Sequence, residues 1–223
     1  VFGRKKTIPE LPADAAATQP CSLAGCERHD GSRCGYVDKR ARACPTAWCP
    51  EHAAVVGGLV FCRRHASTLI ALDGAEAVAG FPDLDNRAPS LVGWVGRELD
   101  APVRQLLTAV TPAAHAAVVT EPVRLVITPG GRTRRWAKVW KTLDSASVLT
   151  RVSVEVDEDD DCEVAARVDT ELIGRGVPPW IEHRLKGEVV DAATDATERR
   201  QFLDAMARSI ELVVTRQEVV PRP

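Results

Sequence analysis

Residues 122–143 read PVRLVITPGGRTRRWAKVWKTL, and the alternation on either side of Pro129-Gly130-Gly131 decides how the C-terminal half folds. Val123, Leu125 and Ile127 alternate with Arg124, Val126 and Thr128, a period of two that belongs to a strand and not to a helix. Pro129-Gly130-Gly131 is a hairpin turn signal, so residues 132–143 form a second strand. A third follows over 147–156, with Val148, Val152, Val154 and Val156 on one face. Asp157 to Asp161 make an acidic turn. The pattern then predicts a fourth strand with Val164, Ala166, Val168 and Leu172 inward. Its other face, Glu163, Arg167, Asp169 and Glu171, lies beside Arg151, Ser153 and Glu155 as a solvated surface.

Helical spacing surrounds this sheet. A first helix is expected from Arg64 to Val78, ending at Gly80-Phe81-Pro82. A second region runs from Ser90 to Val110, where Leu91, Trp94, Val95, Leu99, Val103, Leu106, Leu107 and Val110 form one stripe and Pro102 opens a new helix. Pro178-Pro179 breaks the sheet. A last helix is expected from Ala196 to Arg216, with Asp195 and Glu198 as a capping box and an apolar face of Phe202, Leu203, Met206, Ile210, Val213 and Val214.

The N-terminal third follows a different chemistry. Six of the seven cysteines lie between Cys21 and Cys62, interleaved with His29, His52 and His65. Disulfide frameworks have no use for regularly placed histidines, whereas zinc takes four nitrogen or sulfur ligands from closely spaced pairs. Cys49-Pro-Glu-His52 and Cys62-Arg-Arg-His65 have the two-residue spacer, and Cys21 to Cys26 and Cys44 to Cys49 a four-residue one. Nine candidates are one too many for two closed sites. Leaving out His29 gives an interleaved assignment, Cys21, Cys26, Cys49 and His52 at one zinc and Cys34, Cys44, Cys62 and His65 at the other. A sequential rival stays open: Cys21, Cys26, His29 and Cys34, then Cys44, Cys49, His52 and either Cys62 or His65. Either way two structural zinc ions (Zn2+) are expected. Cys162 stands apart as a bystander thiol.

The run Cys44-Pro-Thr-Ala-Trp-Cys49-Pro-Glu-His52 resembles the Cys-x4-Cys-x2-His core of AN1-type zinc fingers, and the whole row resembles the interleaved two-zinc layout of B-box and RING modules. The likeness covers about a fifth of the chain and ends at Cys62 and His65, where the AN1 order is His then Cys. It implies structural zinc and a protein-binding surface, not a ubiquitin-related role.

These readings divide the chain into a disordered arm over 1–20, a zinc-binding module over 21–66, a helical connector over 67–117 and an α+β domain over 118–223. The fold class is α+β, with an antiparallel β-meander covered by the C-terminal helix. No run reaches the roughly 20 apolar residues that span a bilayer, and no signal-peptide core follows Arg4-Lys5-Lys6, so a cytoplasmic protein is expected. The excess of arginine over lysine, with abundant alanine and valine, points to a GC-rich bacterial genome.

The net charge of -2 gives no global basic field for nucleic acid. A local candidate exists in Arg132, Arg134, Trp136, Lys138 and Trp140, which share one strand face and offer a basic-aromatic stripe for RNA or DNA. The competing reading makes both tryptophans core, with the cations snorkelling outward. Asp157 to Asp161 lack the spaced ligands and glycine of a calcium loop, and His115 and His183 stand alone. With no nucleophile, phosphate loop or dinucleotide fingerprint, the expectation is a non-enzymatic interaction or scaffold protein with a protein partner. Nucleic-acid binding is the alternative, and an enzyme or small-ligand binder with a pocket between sheet and C-terminal helix is the third.

Overall fold

The computed structural model describes residues 18–38, 40–73, 87–111, 116–127, 133–144, 147–158 and 162–219. Arg4, Lys5, Lys6, His115, Arg132 and Asp159 to Asp161 therefore lie outside the described residues, as does most of the expected N-terminal arm. The arm's last residues are tied down, because Gln19 and Gly31 exchange backbone hydrogen bonds of 3.0 and 2.8 Å. Two compact units emerge, one ending at Ala66 and the other beginning at Ser67.

The first unit is built from two short antiparallel pairs. β1 (Ser32–Arg33) pairs with β2 (Ala47–Trp48), and β3 (Ala54–Val56) with β4 (Leu59–Phe61). Gly57 and Gly58 join the second pair with φ of 58° and 80°, the doubly left-handed geometry of a two-residue hairpin loop, which only glycine adopts without cost. Helix α1 (Arg63–Asp73) starts immediately after β4. The buried apolar residues here, ligand candidates aside, are Ala47, Ala53, Ala54, Val56, Phe61 and Ala66. Four of the six are alanines, too little apolar surface to hold a fold of this size.

The second unit contains α2 (Ala88–Glu98), α3 (Asp100–Ala109), five antiparallel strands and two further helices. The strands are β5 (Ala117–Ile127), β6 (Arg134–Asp144), β7 (Ser147–Asp157), β8 (Val164–Val168) and β9 (Glu171–Gly176), a meander in chain order. Helices α4 (Pro179–Leu185) and α5 (Ala192–Val219) follow. The fold is α+β, as the alternation of apolar residues implied. α2 packs on β6 and β7, α3 on β5 and β6, and α5 on β8 and β9, all over one sheet face. The segment expected as a connector thus contributes Leu91, Val92, Val95, Leu99, Val103 and Leu107 to the same core as Trp136, Trp140, Val152, Val154 and Val156.

Several local expectations are corrected. The expected fourth strand is a hairpin of two, because Asp169 takes φ 53° and turns the chain, its carboxylate accepting from the Arg151 N–H at 2.8 Å. Leu172, expected inward, is 42% exposed. A bulge between Thr142 and Leu143 pairs Leu143 with Val148, so Val148 leaves the buried face and is 48% exposed. β5 is bulged between Glu121 and Arg124, where Pro122 has no N–H to give, as suits an edge strand. The last helix begins a turn early. Asp191 caps it, accepting from the N–H groups of Ala193 and Thr194 at 2.9 and 3.0 Å, and the Thr194 hydroxyl and these amides hold its carboxyl below the usual range. Asp195 instead pairs with Arg199 at 2.7 Å and Glu198 with His183 at 3.1 Å.

The sheet's opposite face is covered by no described element. Its centre is Glu155, 6% exposed, which accepts from Ser153 at 3.0 Å and pairs with Arg135 at 3.0 Å and Arg167 at 3.3 Å. Ala137, Val139 and Ser153 on this face are buried as well.

Candidate metal centre

Two turns of helix do most of the positioning. The Cys49 carbonyl accepts from the N–H groups of His52 and Ala53 at 2.9 and 2.8 Å, so Cys49-Pro-Glu-His52 is a single helical turn. The Cys62 carbonyl accepts from the Ala66 N–H at 2.9 Å as α1 opens. Cysteine and histidine three residues apart on such a turn point the same way, which is why the two-residue spacer recurs in metal sites.

Each turn meets two more cysteines. Cys21, Cys26, Cys49 and His52 form one group and Cys34, Cys44, Cys62 and His65 another, with all ligand atoms of a group within 4.8 Å of one another. This is the interleaved order, and each group could hold a metal ion. His29 is exposed and belongs to neither.

The spacings within the groups suit a tetrahedral ion. In the first, the Cys26 and Cys49 sulfurs are 4.0 Å apart, and His52 Nδ1 lies 3.6 Å from Cys21 Sγ and 3.2 Å from Cys49 Sγ. In the second, His65 Nδ1 lies 3.5 Å from Cys34 Sγ and 3.2 Å from Cys62 Sγ. Zinc bonds of about 2.3 Å to sulfur and about 2.0 Å to nitrogen at tetrahedral angles give edges of roughly 3.8 Å between sulfurs and roughly 3.6 Å between sulfur and nitrogen.

Backbone N–H groups point at two sulfurs of the second group, whose thiols do not shift together. The Cys62 backbone N–H points at Cys34 Sγ at 3.3 Å and the His65 N–H at Cys62 Sγ at 3.5 Å. The hydrogen bond from Cys34 is the main reason the Cys62 thiol falls to about 5, and the same contact pushes Cys34 up. Tyr36 stacks on the His65 ring at 3.8 Å between centroids and fixes its plane. Such crowding of sulfur is costly unless a cation sits at its centre.

Of the other candidate stripe, Arg134, Trp136, Lys138 and Trp140 lie among the described residues. Trp136 is 6% exposed and Trp140 fully buried, its indole N–H donating to Asp100 at 2.9 Å. Neither ring offers a face on which a base could stack. Arg134 pairs with Glu158 at 2.9 Å, and Lys138 lies half-buried under Gly96. Of the acidic turn, Asp157 pairs with Arg135 at 2.6 Å. Cys162 lies against the sheet core. His183 is not isolated: Glu188 and Glu198 flank its two ring nitrogens, an arrangement with no local signal in the sequence.

No protein-family model, curated protein or solved structure matches the chain. No helix among the described residues is long and apolar enough to cross a membrane.

Proposed function

We propose that this protein is a non-enzymatic interaction or scaffold protein, a subunit or adaptor of a larger assembly, whose N-terminal module is held together by two structural zinc ions. The carrying observation is saturation: each group already supplies four ligands, three sulfurs and one nitrogen. A catalytic zinc keeps a position open for water, and a Cys3His set leaves none. Zinc then supplies the stability that the small, alanine-dominated interior of the module lacks in apolar area. The cross-braced ligand order, and the resemblance of Cys44 to His52 to AN1 fingers, support a protein-binding role.

The uncovered sheet face supports the same reading. Across the strands of this face the exposed Val126 pairs with Arg135, Leu172 with Arg167 and Val119 with Lys141. Arginine with apolar side chains is the composition of a protein interface rather than of a reaction centre.

Elemental analysis of the tag-free chain tests the metal part. Two zincs per chain are expected, with loss in Cys34→Ser and none in His29→Ala. One zinc, or a requirement for His29, sinks it. Affinity capture tests the rest. A stoichiometric protein partner should be retained by the wild type and lost with Val119→Asp or Leu172→Asp, while recovery of a bare monomer from native extract removes the scaffold role.

A further inference from the structure

A cleft of about 480 Å³ opens between the C-terminal end of α1, helices α2 and α3, and strands β5 and β6. It is not the pocket expected between the sheet and the last helix, and its lining is unlike the core around it. Lys138, Arg97 and Arg104 all line it, and Asp100 is the only carboxylate among its described lining residues. Both Asp100 oxygens are engaged, one accepting from Trp140 Nε1 at 2.9 Å and the other 3.8 Å from Arg104. Two positive charges are left without a counter-charge.

Lys138 is the telling member. It emerges on the helix-covered face of the sheet, between Trp136 and Trp140, and makes no ion pair among the described residues. Burial accordingly pulls its ammonium below the usual lysine range, with Asp100 only partly opposing. The chain makes room for this stem: a β-carbon at position 96 would lie 2.7 Å from Lys138 Cγ, and Gly96 has none. Arg97, on the next residue of α2, likewise has no ion pair among the described residues. Beside them, the Thr120 hydroxyl oxygen is buried without a hydrogen-bond partner. Unpaired cations and an unsatisfied hydroxyl in one concave site are costly to keep empty and favourable to fill.

We propose that this cleft binds a doubly charged oxyanion of the phosphate-monoester class. Lys138, Arg97 and Arg104 neutralise the phosphoryl oxygens and Thr120 donates to one of them. Leu72, Pro122 and Val123 supply an apolar wall for the organic part. The volume is that of a small-molecule site, and two uncompensated charges match a dianion.

The test is calorimetric titration of the full-length, zinc-loaded chain at constant ionic strength, with inorganic phosphate in one arm and phenyl phosphate in the other. Saturable binding of either probe is expected, weakened about tenfold or more by Lys138→Met, which keeps the stem over Gly96, and by Arg97→Met on the exposed side of α2. Arg208→Met, exposed on α5, should change nothing. Tighter phenyl phosphate would identify an ester as the occupant, and equal affinity the free ion; both support an oxyanion site. No saturation by about 20 mM, or equal weakening in Lys138→Met and Arg208→Met, would mean only diffuse attraction between charges and overturn the proposal. The Arg97→Met arm keeps the test valid should Lys138→Met fail to fold.

Discussion

The two units of this chain solve one problem by opposite means. The sheet unit buries Trp140, Leu91, Leu99, Leu107 and Ile210 almost completely, whereas Phe61 is the largest side chain in the interior of the N-terminal unit. Where the first has side-chain volume, the second has eight thiol and imidazole groups in two clusters. A core made of packing tolerates the loss of any one contact in part, because its neighbours relax. A core made of coordination is closer to all-or-none, since three ligands of four leave a charged, half-made site.

The largest expected effect exploits that difference. Cys49→Ser, or a strong zinc chelator added to the wild type, should unfold the N-terminal unit outright, because structural zinc contributes on the order of 10–16 kcal/mol of apparent binding free energy. Amide resonances of Ala47 and Ala54 should collapse to random-coil positions while those of Val139 and Val154 keep their dispersion. Persistence of the first pair under chelation would show that the module needs no metal and would erase the contrast.

Trp140→Ala probes the other side. It opens a cavity in the sheet core and strands Asp100, and should cost about 3–5 kcal/mol by urea denaturation. Zinc content should not change. Loss of metal alongside stability would mean that the two units fold as one.

The contrast also governs what could be read in advance. Candidate ligands announce themselves because few residue types bind zinc and each must appear, so the eight residues from Cys21 to His65 were legible and the interleaved grouping was the preferred of two. Stripes such as Leu91 to Val110 and alternations such as Val152, Val154 and Val156 were legible because burial repeats at a fixed period. Single-residue events were not. Asp169 ends a strand through one left-handed φ that a neighbouring Thr or Glu would not betray, and the bulge that turns Val148 outward depends on what faces it across β6. Asp195 was read as the cap because Glu198 follows it at capping-box spacing, but the helix starts a turn earlier and the Asp195 N–H already donates to the Asp191 carbonyl at 3.0 Å. The Gly57-Gly58 pair between two apolar triplets was a hairpin signal in plain view, eclipsed by the cysteines on either side of it.

That hairpin offers a smaller test. Gly58 has φ 80° with nothing within 4 Å of where a β-carbon would stand, so Gly58→Ala meets backbone strain and no clash. The expected cost is about 1–2 kcal/mol, read as earlier zinc loss in a chelator competition. No change there would mean that coordination overrides backbone strain in this unit, sharpening the contrast further.

The smallest effect belongs to the sheet unit and is electrostatic. His183, on α4, sits between Glu188 at 2.6 Å and Glu198 of α5 at 3.1 Å, and the bonds to Glu188 and then Glu198 raise its pKa above the ordinary 6.5. A raised folded-state value means that the protonated ring stabilises the fold fully below pH 6.5, and that this contribution is lost as pH rises through the raised value. Glu188, lowered chiefly by the same hydrogen bond, works in the opposite sense: its share is present above 4.5 and lost as pH falls through its depressed value. The α4–α5 clamp is therefore strongest in mildly acidic solution. Between about pH 6 and about pH 8.5 the wild type should lose more thermal stability than His183→Gln, by a margin that shrinks with added salt because the pair is partly exposed. An imidazole titration of His183 at or below 6.5, followed by its ring resonances, would assign the hold between the two helices to apolar packing and to contacts such as Arg199 over the Trp180 ring at 4.4 Å. The sheet unit would then owe nothing to a titrating histidine at this junction, which would widen its difference from the unit proposed to be held by metal.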